Sequence, residues 1–237
     1  MDALKGVITG DLVGSSKFTD YRKVVRSLEV VLSELEEWGW ILPGMWEVFR
    51  GDSFQVLMAP EDVFTGAVLI RAGLIGRVYR LRSPLILDEV LDASLDARMG
   101  VGLGEVEMSG RRVTDLFGEG LMVSGLMLDR LSQESLRWVV VTSDESLNPH
   151  FEMVSLLSDR LTREWTVKSA RALYRHLLTG ETQQEMASYF QISQSSVHHR
   201  LRCARFDEFS ALQDYFGAQV KQLSKRYAGE GDSSGGV

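Results

Sequence analysis

The stretch Val48-Phe49-Arg50-Gly51-Asp52-Ser53-Phe54-Gln55-Val56-Leu57-Met58 decides the fold. Two apolar, strand-like runs flank a short polar turn that contains a glycine, and this pattern is typical of a β-hairpin. Asp52 lies at the tip of that hairpin. A single aspartate in a turn usually only bonds nearby backbone amides, so a binding function for Asp52 requires a second polar group.

Asp11 is the candidate for that second group. It ends the apolar run Gly6–Gly10, which predicts a strand over residues 6–12. If this strand pairs with the hairpin, the two carboxylates converge at one edge of a sheet. Mg²⁺ can be held there by one or two carboxylates together with the phosphates of a nucleotide. The alternative is that both aspartates only cap turns and that the chain is a protein-interaction scaffold.

Composition indicates an ordinary globular protein, with 237 residues of which 44% are hydrophobic and 25% are charged. Cys203 is the single cysteine, so no intrachain disulfide is expected. The first residues lack a basic segment followed by an apolar core, and the most apolar long window, Val63–Tyr79, is interrupted by two arginines. We therefore expect a cytoplasmic protein without a signal peptide or a membrane span.

Charge is distributed unevenly along the chain. Residues 1–166 carry a net charge of -9, whereas residues 167–227 carry +4. An acidic body followed by a basic segment is expected when only the second part contacts a polyanion. Ordinary scatter in charge is the alternative explanation.

Hydrophobic periodicity predicts the element order β-α-β-β-α-β-α-β in the first part of the chain. This order indicates an α/β (α+β) fold with a split βαβ core, in which one sheet is backed by helices. After the strand over 6–12, the predicted helices cover residues 21–38, about 63–81 and 121–131, and the later predicted strands cover residues 97–107 and 138–142.

The last third of the chain predicts a small all-α domain with a helix-turn-helix. The helices over Thr182–Phe190 and Gln194–Arg202 are separated by a tight turn. Ala187, Ile192 and Val197 fall five residues apart, which supplies a small residue where helices cross, an apolar plug in the turn and an apolar anchor under the second helix. A packing module without DNA is the alternative.

Double-stranded DNA is the partner predicted for this domain. The first residues of the second helix would reach base edges, and its arginines, with Arg205, would meet phosphates. Metal binding by the two adjacent histidines is disfavoured because no other ligand stands at a suitable spacing. The predicted DNA-binding residues are Gln183, Gln194, Ser195, Ser196, His198, His199, Arg200 and Arg202.

A last amphipathic helix over residues 206–227 closes this domain or pairs two subunits, which would suit a homodimer that reads two half-sites. The predicted domain boundaries are 1–147 for the sheet domain, 148–166 for a connecting helix or linker, 167–227 for the helix-turn-helix domain and 228–237 for a flexible tail.

Three segments resemble the successive signatures of class III nucleotide cyclase domains: Ile8–Ser16, Arg50–Phe54 and Met99–Val106. The second segment is also similar to the turn of GGDEF diguanylate cyclases, which share the polymerase-palm core. The resemblance implies a ferredoxin-like, palm-type domain that binds metal ions through Asp11 and Asp52. It also implies a nucleotide site, for which the candidate residues are Gly10, Leu12, Val13, Gly14, Ser15, Ser16, Gly51 and Asp115, the last of them at the base.

The chain departs from the cyclase pattern at the positions that carry catalysis. Val48 stands where cyclases usually have a purine-reading lysine. Met122 and Leu126 stand where an asparagine and an arginine stabilise the transition state, and a register shifted by two gives Ser124 and Leu128 instead. Arg130, one turn further along, is an alternative cation. Without such donors phosphoryl transfer loses its main source of rate, so the catalytic residues remain unassigned.

The whole arrangement resembles the SatD family of bacterial proteins along almost the entire chain. We therefore predict a DNA-binding regulator whose cyclase-like domain senses a nucleotide with Mg²⁺. An active metal-dependent cyclase or nucleotidyltransferase with an appended helix-turn-helix is the alternative.

Overall fold

A computed structural model describes residues 4–15, 21–49, 51–77, 79–82, 90–93, 95–110 and 112–233. Its centre is a five-stranded sheet with the strand order β2-β3-β1-β6-β9, and two short two-stranded ribbons accompany it. The strands are β1 (Leu4–Val13), β2 (Trp46–Phe49), β3 (Ser53–Met58), β4 (Tyr79–Arg82), β5 (Val90–Ala93), β6 (Asp96–Glu105), β7 (Glu107–Met108), β8 (Leu116–Phe117) and β9 (Trp138–Thr142).

Eight helices belong to the described part of the chain. They are α1 (Tyr21–Glu37), α2 (Val63–Ile75), α3 (Glu119–Leu131), α4 (Asn148–Thr162), α5 (Val167–Thr179), α6 (Gln183–Phe190), α7 (Gln194–Cys203) and α8 (Phe206–Ser233). No helix in these ranges has both the length and the apolar character that a membrane crossing requires.

The sheet has the split βαβ topology that the sequence predicts. β3 lies between β1 and β2 and is antiparallel to both. β6 is antiparallel to β1 on its other side, and β9 extends the sheet in parallel to β6. The predicted α/β fold class is therefore confirmed.

Two helix ends lie furthest from their predicted positions. The second helix ends at Ile75, because Gly76 follows as its cap, and β4 begins at Tyr79, where the sequence predicted helix to Leu81. Helix α8 continues to Ser233, so the first six residues of the predicted tail are helical. Residues 234–237 of that tail lie outside the described residues.

The main core lies between the sheet and the helices α1 and α2. Leu4, Ile8 and Leu12 alternate along β1 and join one core cluster with both helices. Every residue of α2 is buried. A helix that is apolar all round has to be enclosed on all sides, and α2 is enclosed by the sheet, α1 and α5.

Helix α3 packs on the opposite face of the sheet, against the glycines of β6. A Cβ atom at Gly100 would overlap the carbonyl of Ser124, and one at Gly102 would overlap the carbonyl of Gly120. The glycine-rich strand thus lets the helix backbone approach the strand backbone directly.

A buried arginine joins three elements. The Arg71 side chain on α2 is 2% exposed and donates to both carboxylate oxygens of Asp96 on β6, at 2.9 and 3.0 Å. It also donates to Asp159, which is 0% exposed, at 3.1 Å, and to Thr162 at 2.6 Å, both on α4. Burial acts to lower the pKa of Arg71, but Asp96 and Asp159 outweigh it and leave that pKa above its ordinary value.

The C-terminal helices share the core of the sheet region. Leu173 and Tyr174 of α5 and Phe216 of α8 belong to the same cluster as the α1 and α2 residues. The indole of Trp165 donates to the carbonyl of Ala204 at 2.9 Å and thereby links the start of α5 to the end of α7.

The packing of α3 predicts opposite effects for two glycine substitutions. Gly102→Ala should lower the free energy of unfolding by about 1–3 kcal/mol, because a methyl group is forced against backbone. Gly125→Ala, on α3 itself, places its methyl group in open space and should raise stability by up to about 1 kcal/mol. Urea denaturation measures both, and equal stabilities would contradict this docking.

Removing the buried arginine should lower the free energy of unfolding. Arg71→Met is expected to destabilise the chain by about 3–5 kcal/mol, because Asp159 stays buried with a lost partner. Arg26→Met is the control, since the pair that Arg26 forms with Glu29 at 3.5 Å is exposed and such a pair contributes about 0–1 kcal/mol. Similar unfolding midpoints for both variants would refute the structural role of Arg71.

Candidate functional site

Asp11 and Asp52 occupy adjacent positions at the end of two neighbouring strands. Asp11 on β1 pairs with Ser53 on β3, the residue that follows Asp52. The backbone N–H of Leu12 donates to the carbonyl of Asp52 at 3.0 Å. The first strand therefore lies beside the hairpin, as the sequence predicts.

Each carboxylate already has a partner. Arg98, directly opposite Asp11 on β6, donates from Nε to Oδ1 at 3.0 Å and from Nη2 to Oδ2 at 2.8 Å. The hydroxyl of Ser15 donates to Oδ2 of Asp52 at 2.6 Å. Asp11 therefore forms a bidentate ion pair, which is the strongest geometry for an arginine–carboxylate pair. Asp52 accepts a hydrogen bond from a neutral hydroxyl.

Two glycine turns shape this edge. Gly14 and Gly51 have φ angles of 69° and 88°, in the left-handed region that favours glycine. A Cβ atom at Gly51 would also overlap the hydroxyl of Tyr21 at the start of α1. The pKa of that hydroxyl is raised mainly by loss of hydration and to a smaller extent by the negative charge of Asp52.

The other residues predicted for the nucleotide have mainly packing roles in the described structure. Gly10 leaves room for the ring of Phe54, which a Cβ atom would overlap. Leu12 is buried in the main core, and Val13 pairs with Asp96 at the end of β1. Ser16 lies outside the described residues.

Asp115 belongs to a 3-10 turn over Val113–Asp115. Its carboxylate accepts from the backbone N–H of Arg112 at 3.2 Å. Val113 belongs to the same core cluster as Val7, which precedes Asp11 by four residues, roughly 13 Å along a strand. Asp115 therefore closes its own turn, at a distance from the Asp11 and Asp52 edge.

Apolar, exposed side chains stand at the two α3 positions where the cyclase pattern has an asparagine and an arginine. Met122 is 61% exposed and Leu126 is 56% exposed. Ser124, in the shifted register, is buried, and its hydroxyl is bonded to that of Thr9 at 2.8 Å. Arg130 is paired with Glu134 at 2.8 Å. Met122 and Leu126 therefore supply no polar donor, the Ser124 hydroxyl is used within the core, and Arg130 directs its Nε to Glu134.

The two aspartates suit a metal ion that is carried together with phosphates. Mg²⁺ usually takes one or two carboxylates and completes its shell with water and phosphate oxygens. In the described ranges, no group of three or more His, Cys, Asp or Glu side chains could hold a metal ion. Within these ranges, Asp11 and Asp52 alone are too few ligands for an all-protein metal cage.

Sequence reasoning missed Arg98 and Tyr21. The sequence places Arg98 on the same face of β6 as the glycines at 100, 102 and 104, but its position opposite Asp11 depends on the strand register, which the sequence does not give. Tyr21 had no comparable signal, since its position over Gly51 depends on how the chain enters α1.

Helices α6 and α7 form a compact pair on α5. Ala187 and Val197 are buried in one cluster, and Ile192 packs against it from the intervening turn. Gln191 ends α6 with a left-handed φ of 54°, and Ser193 caps α7 by accepting from the N–H of Ser196 at 3.2 Å. Local capping therefore fixes the angle at which α7 begins.

Helix α6 has its own cap. Thr182 and Glu185 bond reciprocally. The hydroxyl and the backbone N–H of Thr182 donate to the Glu185 carboxylate at 2.8 Å, and the backbone N–H of Glu185 donates to the Thr182 hydroxyl at 3.3 Å. The pKa of Glu185 is lowered mainly by the hydrogen bond from the backbone N–H of Thr182 and to a smaller extent by the one from its hydroxyl.

Most predicted DNA-binding side chains lie on the outer face of α7. The exposed ones are Gln194, Ser195, His198, His199 and Arg202.

The other three predicted DNA-binding side chains contact neighbouring residues or are half-buried. The Ser196 hydroxyl is bonded to Ser193 at 2.8 Å, Arg200 lies over the Phe190 ring at 5.7 Å, and Gln183 is half-buried at the start of α6. Arg205 donates to Glu164 at 2.8 and 3.0 Å, which competes with the phosphate contact predicted for it.

Comparisons with known proteins give fold-level similarity to nucleotide cyclases. No family model and no curated protein matches the chain. A bacterial light-regulated adenylyl cyclase is 15% identical with a TM-score of 0.42, and the match covers 58% of this chain and 75% of that one.

Two further solved structures give similar values. The GGDEF domain of DgcB from Caulobacter crescentus, in complex with c-di-GMP, is 16% identical with a TM-score of 0.42, covering 60% and 79% of the two chains. The adenylyl cyclase CyaB from P. aeruginosa is 17% identical with a TM-score of 0.38, covering 61% and 78%. At these values the fold assignment depends on the strand order described above, and the SatD resemblance stays a prediction.

Proposed function

We propose that this chain binds duplex DNA through α7 and binds a nucleoside triphosphate with Mg²⁺ at the Asp11 and Asp52 edge. The observation that carries the first part is the two-sided character of α7. Val197 and Leu201 are buried against α5 and α6, while the opposite side presents amide, imidazole and guanidinium groups to solvent. These groups suit hydrogen bonding to base edges and phosphates.

The surroundings of α7 also favour DNA binding by this helix. Its N-terminal residues, which in helix-turn-helix proteins contact bases, are held by the Ser193 cap. The charge of residues 167–227 is +4, against -9 for the residues before them. The acidic body would repel a polyanion, so the basic segment is the surface on which DNA is accommodated.

The DNA proposal predicts two different responses to substitution. Duplexes enriched from a random-sequence pool should bind with an affinity that falls as salt rises. Arg202→Gln should weaken binding and reduce the salt slope by about 1 if it meets a phosphate, whereas Gln194→Ala should cost about 1–3 kcal/mol and relax sequence preference.

Fluorescence anisotropy with labelled duplex measures both effects. Arg26→Gln, which removes the same charge from the exposed side of α1, is the matched control and should behave like the unaltered chain. Duplex binding that is absent, or equal in all variants, would refute the DNA proposal.

The nucleotide half of the proposal depends on the adjacency of Asp11 and Asp52 at the end of β1 and β3. Two carboxylates beside glycine turns give a metal-bound triphosphate both ligands and room for backbone approach. A sensor of this kind needs no transition-state donors, and α3 offers Met122 and Leu126 in their place.

Calorimetric titration of ATP and GTP with Mg²⁺ tests this half. We expect binding to the unaltered chain and loss of binding in Asp52→Asn, because a neutral amide is a much poorer ligand for Mg²⁺. Asp214→Asn, an exposed change on α8, is the matched control. No heat with either nucleotide would refute the nucleotide proposal and leave α7 as the candidate site.

Turnover is the second candidate function. Adenylyl cyclase is the activity named for two of the solved structures above, and the same two aspartates would serve two-metal phosphoryl transfer. Product analysis of the calorimetry samples separates the alternatives, because metal-dependent cyclisation or nucleotidyl transfer would make the chain an enzyme and a sensor would leave the triphosphate intact.

A further inference from the structure

Arg98 is held against Asp11 by the two central strands of the sheet. The pair is directly cross-strand in the β1–β6 register, with both donor distances at 3.0 Å or less. Both side chains are about three-quarters buried, at 24% and 26% exposure. Since neither strand can shift without losing its ladder, the guanidinium is presented to Asp11 before any ligand arrives.

This ion pair engages both oxygens that a metal ion would need and takes one of the two lone pairs on each. Each oxygen of Asp11 accepts one N–H of Arg98. A divalent cation bound there would also lie close to a fixed positive charge and be repelled by it. Asp52 is different, because its partner is the neutral Ser15 hydroxyl, which adds no repulsion.

The arginine in turn needs an acceptor. Among the described residues, Asp11 is the hydrogen-bonding partner of Arg98. If a metal ion displaced it, a largely buried guanidinium would be left without a partner, which is strongly unfavourable. Phosphate oxygens are the acceptors that match its planar fork best.

We propose that Arg98 makes cation binding at Asp11 conditional on a phosphate ligand. Without nucleotide, Arg98 neutralises Asp11 and keeps divalent cations out. When a nucleoside triphosphate arrives with its metal ion, Arg98 transfers its hydrogen bonds from Asp11 to phosphate oxygens, and Asp11 becomes a metal ligand. This inference rests on the proposed nucleotide site and assigns to Arg98 the coupling between metal and phosphate, which by linkage acts equally in both directions.

Mn²⁺ binding without nucleotide tests the first step. The full chain is titrated with Mn²⁺ and free ion is read by electron paramagnetic resonance. Arg98→Gln should bind Mn²⁺ at least about tenfold more tightly than the unaltered chain, because a unit charge beside a divalent ion is removed. The double variant Arg98→Gln/Asp11→Asn should lose this gain.

Two further variants control the result. Arg98→Lys keeps the positive charge but cannot form the bidentate pair. Its Mn²⁺ affinity should stay close to that of the unaltered chain, which keeps the test informative if Arg98→Gln folds poorly. Arg26→Gln removes an equal charge elsewhere and should change nothing. Equal Mn²⁺ affinity in Arg98→Gln and the unaltered chain would overturn the inference.

Non-hydrolysable triphosphate analogues of adenosine and guanosine test the second step. In the unaltered chain, the analogue should tighten Mn²⁺ binding strongly, and this coupling should be much weaker in Arg98→Gln. Analogue binding with the same coupling in both proteins would overturn the inference alone. No analogue binding to any variant would instead overturn the proposed nucleotide function.

Discussion

The buried charge of Arg71 fixes helix α2 to strand β6 and helix α4. A guanidinium that is 2% exposed cannot be left without acceptors, and its acceptors come from β6 and α4. Asp159 also accepts from the backbone N–H of Arg137 and the side chain of Arg163. Helix α2, strand β6 and helix α4 must therefore reach their positions together, and α4 brings the C-terminal helices with it.

The elements with local signals were the ones predicted well. Strand β9 matches its prediction at both ends because it is a short, continuous β-branched run, and α6 and α7 follow from their caps and apolar spacing. The ion pairs were not predicted, because Arg98 and Asp11 are 87 residues apart and Arg71 and Asp159 are 88 apart. Such contacts depend on strand register and helix placement, which composition does not reveal.

The two faces of β6 differ in what covers them. On one face its side chains fill the core beneath α1 and α2. On the other face the glycines at 100, 102 and 104 are covered by the backbone of α3. Arg98 is the next residue on that second face, where the glycine series stops. The charged pair of Arg98 and Asp11 thus follows the glycine series on the α3 face of the sheet, with each side chain about one quarter exposed.

The continuous core restricts how a signal at this edge could affect α7. Gly73 of α2 lies against Tyr174 of α5, and the carbonyl of Gly76 accepts from Arg171 at 3.1 Å. A hinge between the sheet and α5 would expose these contacts, at the cost of the apolar burial they provide. A ligand shifts an equilibrium only by its differential affinity for two states. In the proposed regulator, a second state that separates α5 from the sheet would therefore have to break these contacts.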